Sequence, residues 1–101
     1  MNNQQNPMSS TNGTYVGNDT VNRAIPHGLG KIPSFVFVVD QSNSAVFSIH
    51  QKAGGFIFLL SGGGKLAVTA MDATYFYVGN ATSYPNSGNS NGVTWAWSAC
   101  P

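Results

Sequence analysis

The side chains that could carry out chemistry in this chain are few and widely separated. They comprise two histidines, His27 and His50, a single cysteine, Cys100, and three aspartates. General acid–base catalysis needs titratable groups within hydrogen-bond reach, and a Cys–His pair is the one nucleophilic arrangement that these residue types offer. Cys100 stands beside the terminal residue, and no flanking nucleophile motif accompanies it. The sequence therefore predicts a non-enzymatic protein without catalytic residues.

Metal and phosphate sites are not indicated either. The acidic residues, Asp19, Asp40 and Asp72, are scattered singly, and with the histidines they match no close metal-ligand spacing. The glycine-rich run at residues 61–65 ends in a lysine, but a P-loop requires Gly-x-x-x-x-Gly-Lys-Ser/Thr at the start of a helix. Leu66 follows Lys65 and no helical pattern begins there. We expect a hairpin turn at this run, and neither a metal nor a cofactor.

The low charge of the chain limits the kinds of partner that we expect it to bind. Only 7% of the residues are charged and the net charge is +1, whereas Ser, Thr, Asn and Gln make up about a third of the chain. Electrostatic binding to nucleic acid or to an anionic membrane needs a basic patch. The first residues form no secretory signal, and no apolar run approaches the roughly 18 residues of a membrane span. We therefore expect synthesis in the cytoplasm, with neither nucleic acid nor membrane as a partner.

The elements that must position these residues are predicted to be strands. Residues 35–39 are β-branched or aromatic throughout, which is typical of a central strand covered on both faces. Other strands are predicted within residues 20–25, 45–51, 56–60, 66–70, 74–79 and 93–98, separated by Gly, Asn and Ser turns. The sequence thus predicts an all-β fold, a single antiparallel β-sandwich of about six or seven strands over residues 15–101.

An extended polar N-terminal arm is predicted over residues 1–14, which lack any hydrophobic periodicity. Segments that order on binding exchange conformational entropy for a wide contact surface. Asn2, Gln4, Pro7 and Met8 are the arm residues that we expect to dock on a partner.

Two residues near the second predicted strand could be structural or functional. Arg23 stands between Val21 and Ile25 on one strand face and could clamp a carboxylate, but a structural hydrogen bond, within the chain or across a subunit boundary, is favoured. His27 belongs to a loop with two glycines and two prolines at residues 26–33. We expect it to hydrogen-bond the loop backbone rather than to bind a metal.

The C-terminal third offers two candidate binding surfaces. Trp95 and Trp97 share one face of the last predicted strand, where they could stack on a sugar ring or belong to a core or interface. Their small neighbours favour the core or interface. The polar segment at residues 80–92 is a predicted loop, and loops on a rigid scaffold commonly carry binding. Tyr84, Asn86 and Asn89 are its candidate ligand contacts.

Three stretches carry a family resemblance. They are residues 22–30 (NRAIPHGLG), 72–79 (DATYFYVG) and 87–99 (SGNSNGVTWAWSA). Together they resemble short virion-associated β-sandwich modules of tailed bacteriophages, which occur in head-decoration, head-fibre and tail-fibre proteins. The Trp-x-Trp-x-Ala ending of the last strand is also similar to H-type lectin domains. The resemblance spans residues 17–99.

The resemblance implies an antiparallel sandwich that assembles as a homotrimer. It transfers no glycan site, because no sugar-contacting residues can be matched one by one. The positions it marks as framework or trimer-interface candidates are Arg23, His27, Tyr75, Tyr77, Trp95 and Trp97.

Together these features predict a structural protein of a phage virion. The expected role is a capsid-decoration or head-fibre subunit that docks on a major capsid protein or another virion protein and stabilises the shell. The alternative is a receptor- or glycan-binding module of a tail fibre, with a surface glycan as its partner.

Overall fold

The computed structural model describes residues 9–52, 54–59 and 64–101, and in this part of the chain the fold is all-β. Eight strands are present there: β1 (Thr11–Val16), β2 (Arg23–Pro26), β3 (Phe35–Asp40), β4 (Asn43–Gln51), β5 (Phe56–Leu59), β6 (Lys65–Ala67), β7 (Tyr75–Val78) and β8 (Thr94–Cys100). The antiparallel sandwich expected from the sequence is confirmed. No helix in the described ranges has the length and apolar character needed to cross a membrane.

The strands form two antiparallel sheets of unequal size. The larger has six strands in the order β1-β8-β3-β4-β5-β6, and the smaller pairs β2 with β7. β3 is central, with β4 on one side and β8 on the other. Its Val36 and Val38 are fully buried, as the apolar pattern of this segment requires.

The core lies between the two sheets. Phe76 of β7 packs edge-on against Trp97 of β8, with ring centroids 5.3 Å apart, and Ile25 and Val78 complete the contribution of the small sheet. Trp95 is 1% exposed and Trp97 is 9% exposed. Burying an aromatic side chain of this size stabilises a fold by about 2–3 kcal/mol, so β8 anchors the core.

β1 begins at Thr11, three residues before the end of the arm that the sequence predicts at residue 14. Thr11 to Thr14 pair with β8, opposite residues Ala99 to Ala96. Gly13 lies directly over the indole of Trp97, and a Cβ there would stand 3.0 Å from a ring atom. These residues therefore belong to the sheet, because their backbone extends the ladder and closes the core over Trp97. Asn2, Gln4, Pro7 and Met8 lie outside the described residues.

Candidate functional site

Arg23 is held by groups of its own chain. Its Nη1 donates to the backbone oxygen of Val16 at 2.6 Å and to Oδ1 of Asn89 at 3.1 Å. The guanidinium carbon lies 5.3 Å from the centre of the Tyr15 ring, within range of a cation–π interaction. Arg23 thus fastens the end of β1 to the segment before β8 through a carbonyl and an amide.

Asn89 does not belong to a ligand-contact surface, because its side chain is completely buried. Its Oδ1 accepts from Arg23 and from the backbone N–H of Asn18, at 3.3 Å. Its Nδ2 donates to the backbone oxygen of Thr20 at 2.8 Å, to Thr20 Oγ1 and to Asn18 Oδ1. The amide is therefore a structural link between residues 18–20 and the segment before β8.

Tyr84 and Asn86 remain near the surface of the same segment. Tyr84 is half-buried and Asn86 is exposed. The backbone around them is folded into turns, in which the N–H of Ser87 donates to Ser83 at 3.1 Å and the N–H of Asn89 donates to Tyr84 at 3.1 Å. The segment therefore presents Tyr84 and Asn86 on a fixed backbone, while Asn89 points inward.

His27 is almost fully buried, and both ring nitrogens have partners in the chain. The N–H of Leu29 donates to Nδ1 at 3.1 Å, so Nδ1 is an acceptor and Nε2 carries the proton. Nε2 then donates to the backbone oxygen of Asp72 at 2.9 Å. The imidazole thereby ties the loop after β2 to the turn before β7.

Tyr75 and Tyr77 lie on the solvent side of the small sheet. Their ring centroids are 6.2 Å apart, and the Tyr77 hydroxyl donates to Oδ2 of Asp72 at 2.9 Å. The backbone N–H groups of Tyr75 and Thr74, in that order of importance, lower the pKa of the Asp72 carboxyl. The hydrogen bond to Asp72 raises the pKa of the Tyr77 hydroxyl. At neutral pH this surface therefore combines two aromatic rings with an ionised carboxylate.

Trp95 and Trp97 face the core, so neither indole is open to a ligand from solvent. The sequence-predicted positions thus separate into three groups. Arg23 and Asn89 meet in one polar network, His27 meets Tyr75 and Tyr77 through Asp72, and the two tryptophans lie in the core.

His50 is a buried polar residue that the sequence did not mark as structural. It is 1% exposed and packs edge-on against Phe76 at 5.4 Å between centroids, and its Nε2 has no hydrogen-bond partner among the described residues. Burial lowers its pKa from 6.5 to about 3, because desolvation disfavours the imidazolium. A histidine whose pKa is lower in the folded chain contributes stability that is fully present above pH 6.5 and is lost as the pH falls towards 3.

Cys100 forms no pair with His50, and both ring nitrogens of His27 are hydrogen-bonded to other groups. Cys100 is opposite Phe35 in the sheet, whereas His50 is opposite Val36, so the two side chains lie on opposite faces. The Cys100 thiol is instead 3.8 Å from Ser10 Oγ. Across the described ranges, no group of three or more His, Cys, Asp or Glu side chains could hold a metal ion.

The face of the large sheet that points away from the core is strongly apolar. Side chains alternate along a strand, so the neighbours of the buried residues in β3 to β5 point away from the core. We call these residues the apolar face: Phe35, Phe37, Val39, Phe47, Ile49, Phe56 and Phe58. Phe35 is 40% exposed, Phe56 is 42% exposed, and the others are half-buried. The small sheet packs on the opposite side, so it does not cover this face.

The centre of the apolar face is a continuous row across three strands. Phe37 is opposite Ile49, which in turn is opposite Phe58. In the next row, Val39 is opposite Phe47, whose ring centroid is 5.6 Å from that of Phe37. Charged groups reach its margins: Lys65 Nζ lies 4.7 Å from the Phe56 ring centre, and Lys52 lines a pocket together with Phe35 and Ile49.

Sequence reasoning missed the apolar face as a site, although its signal was present. The segment 35–39 is apolar at every position, and a strand with this pattern needs cover on both faces. Tyr15 was missed as well. Its hydroxyl donates to the backbone oxygen of Gly88 at 2.6 Å, and burial raises its pKa. No local sequence pattern connects two residues so far apart in the chain.

Comparisons with protein-family models, with curated proteins and with solved structures find no match to this chain.

Proposed function

We propose that this protein is a non-enzymatic structural subunit of a phage virion, a capsid-decoration or head-fibre protein that assembles as a homotrimer and stabilises the shell on which it docks. The observation that carries the proposal is the apolar face on a small, rigid β-sandwich. A contiguous exposed apolar patch, unlike single exposed apolar residues, points to an interaction site. The resemblance of residues 22–30, 72–79 and 87–99 to virion β-sandwich modules supports a trimer that docks on a phage shell.

The placement of the titratable side chains supports a non-enzymatic role. Both imidazoles are buried, one hydrogen-bonded within the chain and one against Phe76. The Asp72 carboxylate accepts hydrogen bonds from the backbone N–H groups of Thr74 and Tyr75 in the turn before β7. Each of these groups is used to hold the fold.

In this proposal the arm docks on the shell through residues before β1. Binding to the assembled shell and not to its free subunits stabilises the shell by mass action. A deletion that tests the arm has to end before Thr11, because Thr11 to Gly13 are sheet residues. Removing residues 1–8 leaves β1 complete. We expect this deletion to abolish shell binding while the folded domain remains.

The first experiment is quantitative mass spectrometry of particles purified from the phage that encodes the chain, with the major shell protein as the internal standard. A copy number that is a simple fraction of the shell copies supports a decoration protein arranged by icosahedral symmetry. A copy number of about a dozen or fewer, as in a closed assembly at one vertex or fibre, supports the tail-fibre alternative. Absence from the particles refutes the virion role.

One observation favours the alternative of a glycan-binding module. Tyr75 and Tyr77 present two neighbouring rings beside the Asp72 carboxylate, and aromatic faces with a few polar groups are suited to sugars. Tyr84 and Asn86 remain a separate candidate surface. A glycan array with the assembled protein tests this role. Binding that is lost in Tyr75→Ala and kept in Tyr84→Ala locates the site on the small sheet, and an array without hits refutes the alternative.

A further inference from the structure

We propose that the outer face of the small sheet binds a cationic side chain, an arginine of a partner protein, between the rings of Tyr75 and Tyr77 and the carboxylate of Asp72. We call this surface the tyrosine platform, and it consists of Ala24, Pro26, Asp72, Tyr75 and Tyr77. Its contacts all lie within one chain, so the site does not depend on the virion role.

The two rings of the platform are bordered by small apolar side chains. Tyr75 and Tyr77 are two residues apart in β7, so both point away from the core. Tyr77 is opposite Ala24 and Tyr75 is opposite Pro26, and both of these β2 residues are exposed. Tyr75 itself is 37% exposed, and Tyr77 is half-buried. On the β2 side the platform therefore offers a ligand no hydrogen bond from a side chain.

The Asp72 carboxylate keeps one acceptor position open beside the Tyr77 ring. Its Oδ1 accepts from the backbone N–H groups of Thr74 at 2.9 Å and Tyr75 at 2.7 Å. Its Oδ2 accepts from the Tyr77 hydroxyl at 2.9 Å. An ionised carboxylate has about four lone-pair sites, so one site on Oδ2 is left. A donor that takes this site lies next to the ring of Tyr77, because the Tyr77 hydroxyl is bonded to the same oxygen.

The negative charge of the platform is not balanced by a basic side chain of the same chain. The backbone N–H groups of Tyr75 and Thr74 lower the pKa of the Asp72 carboxyl, so it is ionised at neutral pH. Among the described residues, its hydrogen-bond donors are two backbone N–H groups and a hydroxyl, all uncharged. His27 reaches the backbone oxygen of Asp72 rather than the carboxylate, and Arg23 is bound to a different segment. A cation from another molecule would supply the missing charge.

A guanidinium matches both the rings and the open acceptor position. The faces of aromatic rings carry partial negative charge and attract a cation within about 6 Å of the ring centre. The Tyr75 and Tyr77 centroids are 6.2 Å apart, so one cation seated between them is in range of both. A guanidinium is planar, so it can stack on a ring while an N–H in its plane donates to a carboxylate oxygen. An ammonium has no plane with which to stack.

A protein side chain fits the platform better than a sugar does. The several hydroxyls of a neutral sugar each need a partner when they leave water, and the side chains of Ala24 and Pro26 supply none. An arginine needs one acceptor and the ring faces. Tyrosine and arginine are also the residue types enriched among the side chains that dominate protein interfaces. The platform therefore fits an arginine that protrudes from a protein surface.

The test is an NMR titration of the full, isotope-labelled chain with N-acetyl-arginine methylamide, followed through the backbone N–H signals of Tyr75 and Tyr77. The neutral comparison probe is the citrulline analogue, in which a urea group of similar shape replaces the guanidinium. We expect a dissociation constant at least about tenfold lower for the arginine probe, because the citrulline probe loses both the charge-assisted hydrogen bond and the cation–π attraction.

Asp72→Asn removes the charge of the platform and keeps an oxygen for the backbone N–H groups. In this variant the two probes should bind equally. Asp40→Asn is the matched control, because the Asp40 carboxylate also accepts from a backbone N–H two residues on, at 2.8 Å, but stands in the large sheet. It should keep the preference for the arginine probe. If Asp72→Asn does not fold, Tyr75→Ala, which removes an exposed ring, should weaken binding of the arginine probe.

Three results would overturn the inference: equal binding of the two probes to the wild type, unchanged Tyr75 and Tyr77 signals, or a folded Asp72→Asn variant that keeps the preference. Glucosamine and methyl glucoside are the sugar probes, one cationic and one neutral. Binding of either at the platform as tight as that of the arginine probe assigns the surface to a glycan and overturns the assignment to a protein side chain. None of these results bears on the copy number in particles, which tests the proposed function separately.

Discussion

Replacing Asn89 by alanine should destabilise the domain far more than its place in a polar segment suggests. The substitution removes the acceptor of the Asn18 N–H and the amide donor to the Thr20 carbonyl, while Arg23 keeps its bond to Val16. A buried polar group left without a partner costs about 1–3 kcal/mol, and the lower end applies here because the two lost bonds are part-buried. With two such groups we expect a loss of about 2 kcal/mol, a large share of the 5–15 kcal/mol that typically stabilises a domain.

The assay is urea unfolding followed by the fluorescence of Trp95 and Trp97, whose buried indoles report the core directly. A parallel thermal melt should show a lower midpoint by at least about 8 °C, since 1 kcal/mol corresponds to about 4–8 °C in a domain of this size. Asn86→Ala is the matched control, because Asn86 is exposed on the same segment. The free energy of unfolding of this control should differ from that of the wild type by no more than about 0.5 kcal/mol. Equal losses in the two variants would refute the assignment of Asn89 as a structural link.

Three further predictions follow from single contacts. Between pH 6.5 and 5 the wild type should lose about 2 kcal/mol of unfolding free energy, because His50 takes up a proton in the unfolded chain and not in the folded one. In His50→Leu the free energy of unfolding, measured with urea, should change less over the same pH range. An equal dependence on pH in the two proteins would refute this prediction. Gly79→Ala should unfold at much lower urea than Gly92→Ala, since both glycines have positive φ but a Cβ at Gly79 would meet the Thr20 oxygen; similar midpoints contradict this. Deleting residues 1–13 should lower the melting temperature, because it uncovers Trp97, whereas deleting 1–8 should not.

The sequence determined the fold class because its evidence is local. Alternation and β-branched content predict strands, and Gly, Asn and Ser turns separate them, so an antiparallel sandwich follows from neighbouring residues alone. β1 begins at Thr11, within the segment predicted as the arm, and local evidence could not show this. Thr11 to Thr14 are polar and carry no hydrophobic pattern, and what makes them a strand is the backbone of β8 beside them.

Side-chain roles were predictable only where the hydrogen-bond partner is close in the chain, or where the size of a side chain relative to its neighbours indicates that it is buried. His27 bonds the N–H of Leu29, two residues away, and the small neighbours of Trp95 and Trp97 already favoured burial. Asn89 and Asn86 look equivalent in a polar segment. The tertiary structure alone separates them, since Asn18, Thr20 and Arg23 reach Asn89 from about 70 positions away.

The sequence by itself predicted that β3 is covered on both faces, because every residue from Phe35 to Val39 is apolar. It could not determine which face the chain covers itself. That choice depends on the register of β3 with β4 and β8, and on where the two-stranded sheet docks. The tertiary structure places Val36 and Val38 against the small sheet and leaves Phe35 and Phe37 outside. A one-residue shift in register would exchange the two sets, since side chains alternate from face to face along a strand.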